Sequence, residues 1–286
     1  MDDYFIISDI NGRFNSLLKR EDYTALKNCK SLEEIVVKLN QHFSFINEDM
    51  NYDELRTKFV ENVLYELSEF NGEKIEYFVK FYKICNFFNK VDGVKEHIIG
   101  NFPELKAIDL CNNFDDIQKL CINNCFLSKY FKDIKKYENQ KTMLIVMKIF
   151  MDEMYKNASG YFKEILENEG NRQILEICLS GKNLENKAQY FPNATNLNGK
   201  DIEKLNNTCD ITVIKQIFGF SDQEPVENMV KRLSIVYSKS FSQYNDNACV
   251  YAYFKLKEQE IENIMWIINC FLQNAPEKMD EIIFYE

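Results

Sequence analysis

The residues able to carry chemistry are few and poorly grouped. The only two histidines, His42 and His97, lie 55 positions apart. Histidine is the usual general base near neutral pH, so a histidine-dependent mechanism has little material. Paired carboxylates occur at Glu33-Glu34, Asp115-Asp116 and Glu258/Glu260. On an acidic helix such pairs read first as a solvated face and only second as an acid–base couple. Nine cysteines are spread along the chain, an odd number that reads as reduced thiols filling small core positions. Cys121 and Cys125, spaced i, i+4, can share a helix face, but no second pair or histidine cluster completes a zinc site. Gly181-Lys182 and Gly199-Lys200 lack the glycine-rich run that cradles a phosphate, and no G-x-G-x-x-G or G-x-S-x-G is present. The reading is a non-catalytic chain with no cofactor.

The elements that must position these residues are long helices. The 286 residues contain only 9 Gly and 4 Pro, too few turn-formers for a sandwich or barrel. Apolar residues recur at helical spacing at Leu55, Phe59, Val60, Val63, Leu64 and Leu67. The pattern continues past Gly72 through Ile75, Phe78, Val79, Tyr82 and Phe88. It predicts helix from 52 to 90. Leu144, Met147, Phe150, Met151 and Met154 mark another stripe, and Tyr251, Phe254, Ile261, Ile264, Met265, Ile268, Phe271 and Leu272 a third. The last predicts a helix over 249–274, closed by Pro276.

Acidic residues outnumber basic ones, 45 to 35, for a net charge of −10. That balance opposes nucleic-acid binding and direct docking on an anionic lipid leaflet. The most apolar runs, Met143–Met151, interrupted by Lys148, and Ile264–Leu272, are nine residues each, where a membrane span needs about 20. The start, Met1-Asp2-Asp3-Tyr4, lacks the basic flank and apolar core of a signal peptide. A soluble, cytosolic chain without a lipid span is expected, and the Asn-x-Ser/Thr triplets at Asn157, Asn193 and Asn206 are read as chance matches.

Internal repetition carries more information. Leu26-x-x-Cys29-x-Ser31-Leu32-x-x-Ile35, Ile108-x-x-Cys111-x-Asn113-Phe114-x-x-Ile117 and Leu205-x-x-Thr208-x-Asp210-Ile211-x-x-Ile214 share one pattern. An apolar residue and a small one precede an N-cap residue, whose oxygen satisfies free N–H groups where a helix begins. Ser31-x-x-Glu34 completes a capping box. Each copy predicts helix, tight turn, capped helix. A second echo relates Tyr161-Phe162-Lys163-x-Ile165-x-Glu167-x-Glu169 to Ala252-Tyr253-Phe254-x-Leu256-x-Glu258-x-Glu260, displaced by 91. Phe102-Pro103 and Phe191-Pro192 each precede a cap motif. These echoes predict three similar all-α units over 1–95, 96–185 and 186–286, packed as one body with a central concavity.

The C-terminal stretch Tyr251-Ala252-Tyr253-Phe254-Lys255-Leu256-Lys257-Glu258-Gln259-Glu260, followed by Asn263-Ile264-x-Trp266-Ile267, closely resembles the subunit d family of V-type proton ATPases. Asp22-Tyr23 through Glu33-Glu34, the central Leu166-Glu167-x-Glu169-x-x-Arg172 and Phe191-Pro192 resemble further segments of that family, in order along the chain. The resemblance implies an all-helical cup or funnel of three units with pseudo-threefold symmetry, held in the membrane sector without a spanning helix. It implies a base on the proteolipid c-ring near subunit a, and a concavity that receives central-stalk subunits D and F. The body would turn with the rotor at the cytosolic face of a vacuolar or other internal membrane, coupling ATP-driven rotation to proton translocation. Glu169, Arg172, Phe254, Glu258 and Glu260 are the candidates for ordering or lining the cavity, and intrahelical ion pairing is the competing reading for the charged ones. The chain departs from the family in its shorter loops near 46–52 and 155–165, in Asn171 where the family usually has Asp, and in Glu262 where a basic residue is common. A free-standing helical scaffold that binds partner helices is the alternative. An enzyme active in the cup would need two carboxylates with raised pKa in a deep pocket.

Overall fold

The computed structural model describes residues 3–70, 73–91, 103–111, 113–124, 128–131, 138–181, 184–226, 228–243 and 246–284. His97, Phe102, Lys182, Cys125 and the side chain of Cys121 lie outside the described residues. The fold is all-α, with no strand among the described residues. In chain order the helices are α1 (Asp3–Asn15), α2 (Arg20–Lys27), α3 (Leu32–His42), α4 (Tyr52–Glu69), α5 (Glu73–Val91), α6 (Phe114–Asn124), α7 (Ser128–Phe131), α8 (Asn139–Asn157), α9 (Gly160–Ser180), α10 (Gly199–Asn207), α11 (Ile211–Ile217), α12 (Asn228–Ser240) and α13 (Asp246–Leu272). Short 3₁₀ segments cover Pro103–Leu110, Lys187–Tyr190 and Pro276–Glu281. No helix among the described residues is long and apolar enough to cross a membrane.

By packing, the chain divides into two compact units. The first comprises residues 1–85, 94–101 and 237–286, and the second residues 86–93 and 102–236.

In the first unit α13 is the central helix, packed against α1, α2, α3, α4 and the C-terminal 3₁₀ turn. Its 27 residues span about 40 Å, close to the length the apolar stripe predicts. Ala252, Phe254, Leu256, Ile264, Ile267 and Ile268 are fully buried, and so nearly are Leu17 of the α1–α2 link and Ile35, Leu39, Leu55, Phe59 and Val63 of α3 and α4. The predicted helix 52–90 is two helices. Phe70 leaves the helical region (φ −102°, ψ 146°) and its ring meets Phe254 edge-on, centroids 6.0 Å apart. Burial of that one aromatic overrides a periodicity that runs through the break.

The second unit is built on α8 and α9, joined by Ala158 and Ser159 alone. Gly160 opens α9 at φ +56°, a conformation that favours glycine. On α8 the buried apolar residues are Val146, Phe150, Met151 and Met154, while Leu144 and Met147 of the predicted stripe are half-buried. Ile174, Leu175, Ile177 and Cys178 of α9 pack with Tyr190, Phe191, Leu205, Ile214 and Phe220.

The three cap motifs share local geometry. Ser31 accepts from Glu34 N–H, Asn113 from Asp116 N–H and Asp210 from Thr212 N–H. Leu26, Ile108 and Leu205 are buried ahead of each cap, and Ile35, Ile117 and Ile214 after it. Cys29 and Cys111 each donate to the carbonyl four residues back, Ala25 and Ala107. The second copy differs in entering from a 3₁₀ segment rather than an α-helix.

Candidate functional site

The K-L-K-E-Q-E stretch lies in the middle of α13 and sends charged side chains into the first unit. Lys257 and Glu260, one turn apart, form a buried ion pair, Nζ to Oε2 2.7 Å. The pair's angles fall outside hydrogen-bond geometry, so Oε2 has an ionic but no hydrogen-bonded partner. The other oxygen, Oε1, accepts the Leu18 N–H at 2.7 Å, which ties α13 to the link between α1 and α2. The Lys257 ammonium lies over the Phe43 ring, 4.9 Å from its centroid, at the end of α3. A charge withdrawn from water this completely is tolerated only when paired and hydrogen-bonded.

A second pair follows the neighbouring stripe. Lys255 Nζ donates to Glu258 Oε2 at 2.9 Å, and Tyr82 of α5 donates to Glu258 Oε1 at 2.5 Å. Three rings, Phe78, Phe81 and Tyr251, surround the Lys255 ammonium with centroids at 5.5, 4.9 and 5.8 Å. Burial, reinforced by the Glu258 charge, holds the Tyr82 phenol well above its ordinary pKa. The same two causes push the neighbouring Cys85 thiol up to about 12.

A third cluster joins α1, α4 and α13. Tyr253 donates to Glu66 Oε2 at 2.6 Å, and Asn62 donates to Glu66 Oε1 at 2.6 Å. Arg13 reaches Asp9 at 3.1 Å, Glu69 at 2.8 Å and Glu66 at 3.6 Å, and stacks over Phe70 at 5.0 Å. Burial first, then the Glu66 charge, raises the Tyr253 phenol above its ordinary range. Further along α13, Asn263 accepts the Ile283 N–H and donates to the Ile283 carbonyl, fixing the returning C-terminal segment. None of these clusters sets a nucleophile beside a base. Their common effect is to lock α13 to its neighbours through directional polar contacts.

In the second unit, the corresponding polar stretch of α9 holds a strap formed by residues 191–197. Gly170 lies against the strap so closely that a Cβ there would come within 1.6 Å of the Ala194 carbonyl oxygen. Asn171 accepts from Thr195 Oγ1 at 2.5 Å and donates to Asn196 Oδ1 at 2.8 Å. Asp152 of α8 accepts from Asn193 N and Nδ2 at 2.5 and 2.7 Å. The two sides of the strap are thus pinned to two helices. Glu167 accepts from the Tyr155 hydroxyl at 2.7 Å, and Glu258, 91 positions on, accepts from Tyr82; the glutamates follow the echo, while the tyrosines do not share its spacing.

Of the sequence candidates, Phe254, Glu258 and Glu260 lie on α13 in the first unit, the two glutamates in separate clusters. Phe254 and Glu260 are fully buried. Glu169 and Arg172 lie on α9 in the second unit. Glu169 is buried, and Arg172 is exposed, with an i, i+4 pair to Glu176 at 3.2 Å. Phe254 and Glu260 are thus enclosed within the first unit and line no open surface of it. Sequence reasoning passed over Lys257, Tyr253, Gly170 and the Thr195–Asn196 pair. The i, i+3 spacing of Lys257 and Glu260 on an apolar face, and a glycine inside a long helix, were the available signals. Among the described residues no group of His, Cys, Asp and Glu is placed to hold a metal ion.

The sequence pattern of the ATP synthase (C/AC39) subunit family matches residues 6–282. The chain is 20% identical to the V-type proton ATPase subunit d of Dictyostelium discoideum, with 99% of this chain and 94% of that protein aligned. It is 22% identical to V-type proton ATPase subunit d1 of Arabidopsis thaliana (96% and 94% aligned) and 21% to V-type proton ATPase subunit d of Saccharomyces cerevisiae (99% and 97%). The alignment with the Dictyostelium protein runs over 340 positions against a chain of 286 residues, so that relative carries residues this chain lacks.

Proposed function

Because the chain belongs to the ATP synthase (C/AC39) subunit family, we propose that it is the d-type rotor subunit of a V-type proton ATPase, a non-catalytic connector between central stalk and proteolipid ring. The observation that carries this reading is the family match over residues 6–282, joined to relatives named as subunit d whose length the chain covers almost completely. On this reading the three cap motifs mark three related helical units arranged as a cup. Its base rests on the c-ring beside subunit a, and its concavity holds subunits D and F. The subunit sits on the cytosolic face of a vacuolar or other internal membrane, held there by proteins.

A connector that transmits torque must not yield under load. Interiors packed to crystal-like density resist compression, and directional polar contacts between helices resist sliding. The contacts that bind α13 to α1, α3, α4 and α5 suit that demand. Glu258, Glu260 and Phe254 would serve it from within the first unit, and Glu169 and Arg172 from α9.

The test is a mild-detergent pull-down of the tagged chain from native membranes, with mass spectrometry of what co-purifies. Proteolipid and central-stalk subunits recovered in constant ratio to the bait are the expected result. A chain recovered alone from the soluble fraction would overturn the reading and leave a helical scaffold for other partners.

A further inference from the structure

Seven cysteines fall among the described residues with their burial known, and Cys209 alone of these is exposed. It sits in the link between α10 and α11, immediately before the Asp210 cap. Facing it is Lys187, a lysine with only 2% of its surface exposed. Lys187 opens the 3₁₀ turn 187–190, which Asn186 enters at φ +48°. From there its ammonium donates to the Thr208 carbonyl at 2.7 Å and lies 3.3 Å from Cys209 Sγ. The turn is held in place by Ala188 N–H donating to Asn206 Oδ1 at 2.8 Å.

Among the described residues no carboxylate forms an ion pair with Lys187. A buried ammonium ordinarily requires an anion, and one left without it is costly. Within its hydrogen-bonding reach the Cys209 sulfur is the group that can take up negative charge. The arrangement therefore joins a buried cation lacking a carboxylate to an exposed sulfur it already touches. Reactive thiols are those that combine access with an adjacent cation. The nearby Cys178 differs in access: it is buried, and burial pushes its thiol up to about 11. Access to this region is open on one side. Thr208, whose carbonyl Lys187 holds, lines a surface hollow with Lys200, Glu203, Lys204, Asn207 and Val213.

We infer that Cys209 is an oxidative modification site for small peroxides, with Lys187 as the positioning residue that makes its sulfur reactive. The step is a two-electron transfer. The sulfur attacks one oxygen of hydrogen peroxide, an S–O bond forms as the O–O bond breaks, and the sulfur is oxidised to a sulfenic acid. The departing oxygen takes up the thiol proton and leaves as water. Lys187 keeps its proton throughout and stabilises negative charge on the attacking sulfur.

The experiment treats the reduced full-length chain with a small excess of hydrogen peroxide, traps sulfenic acid with dimedone, and follows each cysteine by peptide mass spectrometry. Cys209 is expected to gain the adduct several-fold faster than the same cysteine in a synthetic peptide spanning residues 204–214, because only the folded chain supplies the Lys187 ammonium. Lys187→Met should slow labelling by about tenfold, whereas Lys204→Met, which removes a lysine of the open hollow, leaves it unchanged. If Lys187→Met does not fold, the comparison of native chain with peptide decides alone. Labelling of Cys209 no faster than the peptide, or a folded Lys187→Met chain that reacts like wild type, would overturn the inference.

Discussion

Lys257 and Glu260 face each other one turn apart on α13, Nζ 2.7 Å from Oε2, and the carboxylate is entirely enclosed. An ion pair this deep is weak evidence of net stability, because desolvation offsets much of the attraction. Its asymmetry is informative, since removal of one partner strands the other charge in a medium that cannot solvate it.

Lys257→Met should therefore destabilise the chain by about 3–5 kcal/mol. Adding Glu260→Gln, which keeps an acceptor for the Leu18 N–H, should recover about half of that loss or more. Urea unfolding of the two single variants and the double variant measures the coupling. Strictly additive losses would show that the two charges do not depend on each other.

Two helical glycines should respond in opposite directions. A Cβ at Gly170 meets the Ala194 carbonyl at 1.6 Å, so Gly170→Ala must displace the strap or α9 and should cost about 3 kcal/mol. Nothing lies within 4 Å of a Cβ at Gly12, so Gly12→Ala should stabilise α1 by about 0.5–1 kcal/mol. Thermal unfolding by circular dichroism checks both. A Gly170→Ala chain as stable as wild type would mean that the strap is not held where it is described.

Alkaline stability should depend on the pocket around Glu258. The folded chain holds the Cys85 thiol at about 12 against an ordinary 9.0. Between those values the unfolded chain gives up a proton that the folded chain retains, so stability falls as pH rises. The contribution is fully present below about pH 9 and is lost through about pH 12. Tyr82 and Tyr253 shift in the same direction and add to the fall above the ordinary phenol range near 10. Urea midpoints at pH 8, 9.5 and 11 should decline less steeply in Cys85→Ala. Parallel declines in the two chains would remove Cys85 from the account.

Asn171 stands where the resemblance leads one to expect Asp, and its surroundings accommodate either residue. Thr195 Oγ1 can donate to a carboxylate as it does to the amide oxygen, and Asn196 can turn its own amide to donate. Asn171→Asp should cost under about 1 kcal/mol at pH 7, and Asn171→Leu about 1–2 kcal/mol, because the latter removes both hydrogen bonds that the buried Asn171 amide makes, to the half-buried Thr195 and the exposed Asn196. Chemical denaturation of the two variants side by side distinguishes them.

The helical class, the stripe on α13 and the three capped turns could be read from the residues in order, because each arises from interactions within a few positions. Helical periodicity marks the face a helix buries, and Ser31, Asn113 and Asp210 satisfy N–H groups two or three residues ahead. The family resemblance was legible for a related reason: K-L-K-E-Q-E is a contiguous string. What that string does was not legible. Glu260 meets Leu18 across 242 positions and Tyr253 meets Glu66 across 187, and local spacing carries no signal for such partners. Phe70 ends α4 because its ring is buried near Phe254, though apolar periodicity alone would continue the helix. Cys209 is exposed where composition assigned cysteines to the core, and Lys187 is buried where a lysine is ordinarily solvated. Burial depends on which distant surfaces meet, so the tertiary structure alone decided which charges are enclosed, which thiol is open, and which glycine has no room for a side chain.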